Sequence, residues 1–207
     1  MGLQQTVQRA YTGGFAGQLV ADGPRRAKPA RISSATIGAD ANHSTNHMSR
    51  AFGWSGEIPS GAAGQAPVGV GYVATVAVGT GPFFGILGQP TSYALQGSAG
   101  NSLAPTMDLA IGTVGEFFDM ATGLMVELFN DTTAAKASAF GDQVAYCSAA
   151  GDANGVPLGG LIGVAAGAAA PAGYTLIPNA RIMRPLSVPA SAAGAAVFAL
   201  TVIQLTE

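Results

Sequence analysis

Charge is what this sequence has least of. Asp, Glu, Lys and Arg make up 10% of its 207 residues, against about a quarter in an ordinary soluble domain. A long coiled coil needs dense Glu, Lys, Leu and Arg, so that architecture is excluded. Cysteine is also scarce. A single residue, Cys147, rules out a disulfide scaffold and reads as a buried, inert thiol on a strand. The net charge is −2, so no basic surface argues for a nucleic-acid partner. Aromatic residues reach only 7%. Disorder, which pairs low hydrophobicity with high net charge, is excluded by 48% hydrophobic residues and that small charge.

Small residues fill the space. The chain holds 30 glycines, 12 prolines and 40 alanines. Residues 58–107 contain no charged side chain, and neither do residues 153–180. In the second run Gly155, Gly159, Gly163 and Gly167 repeat at the spacing of membrane-helix dimers. Pro157 and Pro171 interrupt it, and Gly and Ala give too little hydropathy for a span. No membrane partner is expected. A surface so poor in charge is expected instead to be covered by other subunits.

The charge that exists is uneven. Residues 1–50 carry Arg9, Arg25, Arg26, Lys28, Arg31 and Arg50 against Asp22 and Asp40, a net of +4, and the remainder carries −6. Such asymmetry points to an N-terminal segment that meets an acidic partner. The N-terminus lacks a basic region followed by an apolar one, so it does not read as a secretory signal. Gly2 and Thr6 match a myristoylation pattern too short to carry weight.

Glycines 13, 14, 17 and 23 with Pro24 and Pro29 break any regular element over residues 1–30. This predicts an extended, basic arm with a first strand, residues 1–36. The β-rich body with long Gly/Ala-rich loops then occupies 37–207. Residues 38–67 read as loop, with Trp54 as its one large anchor. Alternating and β-branched runs predict strands over 68–78, 83–87, 109–118, 124–129, 143–147, 174–177, 181–183 and 195–205. A turn is expected over 119–123, making 109–118 and 124–129 a hairpin. Residues 131–140, Ala-rich behind a capping Asp131, are the one short-helix candidate. Short strands between Gly/Pro turns argue for an all-β fold, an antiparallel barrel or sandwich with little helix.

No catalytic constellation emerges, and neither a cofactor nor a metal is expected. His43 and His47 lie four apart, but Ser44 stands where zinc-protease chemistry needs Glu, and Asp40 shares a Gly/Asn/Ser loop with them. Gly69, Gly71 and Ala74 lie inside a strand pattern rather than at a strand-to-helix turn. Gly97-Ser98-Ala99-Gly100 misses the nucleophile elbow by one position. Glu116 and Asp119 read as solvated acids at a hairpin end.

Other segments carry a resemblance. Gln4-Gln5-Thr6-Val7, Gly14-Phe15-Ala16-Gly17 and Asp22-Gly23-Pro24-Arg25-Arg26 resemble the opening of tailed-bacteriophage capsid cement (decoration) proteins. Val114-Gly-Glu-Phe with Ala121-Thr122-Gly123, and Gly141-Asp142-Gln143-Val144-Ala145-Tyr146, resemble strands of the same family. Ala180-Arg-Ile and the ending from Gly194 to Leu200 are similar too. The resemblance implies a non-enzymatic virion protein on the outer capsid surface. It would bridge neighbouring major capsid subunits and stabilise the expanded shell, as a homo-oligomer with a trimer favoured over a dimer. Arg9, Arg25, Arg26, Lys28 and Arg31 would then be the docking cations. The alternative from another class is a β-rich tail or host-recognition module. It would show clustered aromatic or polar loop tips and a fibrous repeat, and neither is evident. A capsid-associated hydrolase would need the missing constellation.

Overall fold

The computed structural model describes residues 15–32, 46–59, 72–89, 109, 114–148, 154–192 and 195–206. Eleven strands carry them: β1 (Arg25–Ile32), β2 (Ala51–Pro59), β3 (Tyr72–Val78), β4 (Phe83–Leu87), β5 (Val114–Phe129), β6 (Lys136–Ser138), β7 (Gln143–Cys147), β8 (Leu161–Val164), β9 (Tyr174–Ile182), β10 (Leu186–Val188) and β11 (Phe198–Leu205). The described residues contain no helix, which agrees with the all-β expectation.

Nine strands form one sheet in the order β1-β3-β2-β4-β5-β11-β9-β7-β8, and the extra pairings β1–β5 and β5–β8 close it on itself twice. Two five-stranded circuits result, and β5 is the wall between them. Closing a sheet removes the open edges that a weakly charged chain cannot protect with Lys or Glu. The sheet is mixed rather than purely antiparallel, because β1–β3 and β5–β8 run parallel. β6 and β10 pair separately.

Each circuit is filled by side chains from its own strands. Ala30, Ile32, Phe52, Val76, Leu87 and Phe117 fill the first, where Phe52 and Phe117 meet edge to face with ring centroids 5.0 Å apart. Leu124, Val126 and Leu128 of β5 fill the second, with Tyr146, Ile182 and Ile203. Phe118, Ile86 and Ala51, from the outer side of the first circuit, join this second core. The first circuit therefore packs on the second.

β5 departs most from the sequence expectation. It is one 16-residue strand, not a hairpin turning at 119–123. Two irregularities replace the turn. The ladder with β1 passes from Met120 to Phe118, leaving Asp119 without an opposite residue. The ladder with β11 passes from Leu124 to Ala121 as β11 moves from Ile203 to Leu205. Bulges of this kind bend a strand without ending it, and here they carry β5 from one circuit into the next. Gly123 lies close to Ala21, where a Cβ would approach that methyl to 2.8 Å.

Other expectations are corrected. Residues 38–67 are not wholly loop: β2 lies in the middle of the first circuit, and Trp54 is 45% exposed while Phe52 is fully buried. Trp54 is thus no anchor: residues two apart share a face in a regular strand, and the register shift between Phe52 and Gly53 breaks that alternation. The short helix over 131–140 is absent. Asn130 binds the backbone instead, accepting from Thr132 N–H at 2.9 Å and donating to the Ala134 carbonyl at 2.6 Å, and the Asp131 carboxylate meets Lys136 rather than capping a helix. The strands expected at 174–177 and 181–183 are one strand, β9, with Asn179 at φ 55° inside it. The Gly/Ala-rich run hides β8, every residue of which is buried. The strand expected from 195 begins at Phe198, and the described part of the one expected from 68 is β3. Residues 1–14, 33–45, 60–71 and 90–108 lie outside the described residues, and with them Arg9, Asp40, His43 and the Gly69 and Gly97 motifs. Cys147 is a buried thiol on β7, as expected.

Candidate functional site

Of the five cations expected to dock, Arg9 lies outside the described residues, and the other four sit on β1. They do not act alike. Alternation along the strand separates them into two sets.

Arg26 and Lys28 turn inward along their own sheet and converge on Asp119. Arg26 Nε donates to Asp119 Oδ1 at 3.0 Å and Nη2 donates to Oδ2 at 2.9 Å, a two-pronged grip. Lys28 Nζ reaches Asp119 Oδ2 at 2.5 Å and lies 5.4 Å from the Phe84 ring centroid. The bulge makes this possible, since Asp119 faces no β1 residue and its carboxylate falls between Arg26 and Lys28. Partial burial pushes the Asp119 carboxyl up; the hydrogen bonds and charges of Arg26 and Lys28 outweigh it and hold the group below its ordinary range. Asp119 was expected to be a solvated hairpin acid. Its side chain is only 11% exposed, and it fastens β1 to β5.

Arg25 and Arg31 are the second set. Both are exposed, and neither has an ion pair among the described residues. Pro29, also exposed, stands between them opposite Glu116, and Arg31 stands opposite the exposed Val114. At about 3.3 Å per residue, the two guanidinium groups leave the strand roughly 20 Å apart. Pro29 has no N–H, and a proline at this place obstructs a further strand from adding edge to edge.

The described part of the N-terminal segment is fastened to the body. Gly17 N–H donates to the Met125 carbonyl at 2.8 Å, Met125 N–H to Gln18 and Val20 N–H to Gly123, so residues 17–20 follow β5 before β1 begins. Pro24 accepts from the Thr122 hydroxyl. The Gly and Pro residues that argued against regular structure permit this close approach.

A second charged cluster went unseen in the sequence. Arg50, 2% exposed, lies with Nη2 3.9 Å from Glu127 Oε2, and His47 Nε2 lies 3.2 Å from Glu127 Oε1. Ser49, at φ 64°, offers its hydroxyl to Glu127 N–H at 3.3 Å. An Arg followed by a strand gives no sign of a carboxylate 77 positions on, so only the fold brings them together. His47 was considered as a metal ligand, but it is engaged with Glu127. Among the described residues no group of His, Cys, Asp and Glu could hold a metal ion.

The described residues form a closed double circuit, with Arg25 and Arg31 exposed on a strand that Asp119 fastens. A family model described as structural cement protein (E217 gp24/Pam3 gp6) matches residues 3–206. A chain from the capsid of Myoviridae phage XM1 is similar over 100% of this chain and 99% of that one, at 12% identity and TM-score 0.49. No curated protein matches. The chain belongs to the family of phage structural cement proteins. It is a structural protein of the virion that associates with capsid proteins and stabilises the capsid, and the tail or host-recognition alternative gives way to that reading.

Proposed function

We propose that the chain attaches to the outer face of the expanded capsid and bridges neighbouring major capsid subunits, with the segment 1–36 as its docking element. One observation carries this. Arg25 and Arg31 point outward from a strand that Asp119 holds in place through Arg26 and Lys28. A fixed strand presents its cations without the ordering cost that a loose arm would meet on binding. Arg9, Arg26 and Lys28 add positive charge to the same segment. An acidic face on the capsid subunit is the matching surface, and Arg can grip its carboxylates in pairs. Selective binding to the expanded shell would stabilise that state by mass action.

The chain acts without catalysis in this reading, and as a homo-oligomer, a trimer before a dimer. Low charge, long uncharged runs and exposed Phe140, Phe198 and Leu200 support self-association. Mixing the purified chain with expanded and unexpanded capsids, then sedimenting, tests the proposal. Co-sedimentation with the expanded form and a raised capsid melting temperature are expected. Equal binding to both forms, or none to either, would overturn it.

A further inference from the structure

Phe140 is 66% exposed, yet it is not on a loose loop. Asp142 closes the turn beneath it. Its Oδ2 accepts from Ala139 N–H at 2.7 Å and its Oδ1 from Ala166 N–H at 3.2 Å. Gly141 N–H donates to the Ile182 carbonyl, and Ile182 N–H donates back to Asp142, both at 2.8 Å. Gly141 takes φ 85°, which a side chain would strain. A network of hydrogen bonds thus holds a large apolar ring out in water, where it adds nothing to the chain's own core. Rigid aromatic anchors of this kind dominate protein contacts.

The ground beside the ring is equally apolar. Gln143 Oε1 accepts from Gly167 N–H at 3.0 Å, so the segment after β8 is tied to the same turn. Ala165, Ala166, Ala168, Ala169, Pro171 and Ala172 are all exposed along it. They make a ledge of methyl groups within the stretch 153–180 that holds no charge. The nearest carboxylate, Asp142, is occupied by two amides. Arg181, opposite Gln143 in the ladder, is the neighbouring charge.

We infer that this tip is a contact between copies of the chain, in which Phe140 of one copy lies on the alanine ledge 165–172 of the next. The inference rests on the self-association proposed above and names its surface. In a contact between identical copies, twofold or head to tail, both surfaces come from one chain, and a patch without charge meets no like charge. This patch presents an apolar knob beside an apolar seat and so is complementary to itself. The outward cations Arg25 and Arg31 lie on the other circuit and are left for a partner of opposite charge.

Sedimentation velocity and light scattering of the full chain at micromolar concentration test it. The parent is expected as an oligomer. Phe140→Ser and Ala169→Glu should each shift the mass to the 20.5 kDa monomer, weakening association at least about tenfold with the circular dichroism spectrum of the parent retained. A variant that loses that spectrum is replaced in the comparison by Phe140→Gln or Ala168→Glu. A monomeric parent overturns both this inference and the self-association beneath it. An oligomeric parent whose folded variants stay oligomeric, or dissociate for the ring but not the ledge, overturns this surface and leaves self-association standing.

Discussion

Arg50 stacks on Phe129, its guanidinium carbon 4.5 Å from the ring centroid, while its Nη2 faces Glu127 two residues back along β5. Arg50 immediately precedes β2 in the first circuit, and Phe129 ends β5 in the second. The pair is therefore a joint between the two. Removing one member of a buried ion pair leaves the other charge uncompensated, at a cost of about 3–5 kcal/mol. Arg50→Ala should lower stability by about that much in urea unfolding. Adding Glu127→Leu to Arg50→Leu should recover most of the loss, since the uncompensated charge is gone. A double variant no better than the single would show that shape, not charge, makes the joint.

Gly53 gives a sharper steric case. A Cβ there would lie 1.6 Å from the Thr80 carbonyl oxygen, because the turn between β3 and β4 crosses over β2 at this residue. Main chain cannot swing aside as a side chain can. Gly53→Ala is expected to cost about 3 kcal/mol, which in a chain of this size lowers the melting temperature by roughly 10 °C. Gly141→Ala, where nothing lies within 4 Å, should cost about 1 kcal/mol, from the positive φ alone. Equal losses at the two sites would refute the crossing.

Asp119 makes the fold sensitive to acid. Its carboxyl is depressed in the folded chain, so its stabilisation is complete above the unfolded value, near pH 4. It is lost as pH falls through the lower folded value. The partners Arg26 and Lys28 are 45% and 43% exposed, and screening by water limits the effect to about 1 kcal/mol. Asp119→Asn should therefore be less stable than the parent at pH 7, with the difference vanishing towards pH 2. A constant difference across that range would mean the carboxylate charge is not what holds β1.

Cys147 lies 1% exposed on β7. A thiol reagent should label the native chain far more slowly than the denatured one, at a rate set by local opening. Rapid native labelling would place the sulfur at a surface.

How far these features can be read from the sequence differs with their cause. The strand segments around Phe84, Val144 and Ile203 are legible because alternation and β-branching are local. The continuity of β5 is not. Asp119 to Gly123 has the composition of a turn, and only pairing with β1 and β11 shows that the irregularity is absorbed as bulges. The cations of β1 are visible as a cluster, but their division is not, because Asp119 stands 93 positions from Arg26. Trp54 misleads for a related reason: size and its spacing from Phe52 suggest burial, whereas the irregularity between Phe52 and Gly53, set by pairing with β4, leaves it exposed. β8 escapes because Leu161, Ile162 and Val164 are flanked by Gly and Ala, which carry no periodic signal.

The same division decides how docking should be tested. Reversing Arg26 or Lys28 would place a carboxylate against Asp119 and loosen β1, so a loss of capsid binding there would mix two effects. Arg25 and Arg31 avoid this, since both are exposed and neither has an ion pair among the described residues. Arg25→Glu with Arg31→Glu should leave the melting temperature within about 4 °C of the parent, because each exposed substitution away from such contacts changes stability by about 0.5 kcal/mol. Binding to expanded capsids should weaken by about ten- to a hundredfold at low salt, for two paired arginines lost and two repulsions gained. The difference should shrink as ionic strength approaches molar, where the screening length falls to about 3 Å. Arg26→Glu should do the opposite, lowering the melting temperature at any salt. If the Arg25/Arg31 variant decorates capsids like the parent at low salt, β1 is not the docking strand. If it binds poorly at every salt with its fold intact, shape rather than charge governs the contact, and the exposed Pro29 between the two arginines becomes the residue to change.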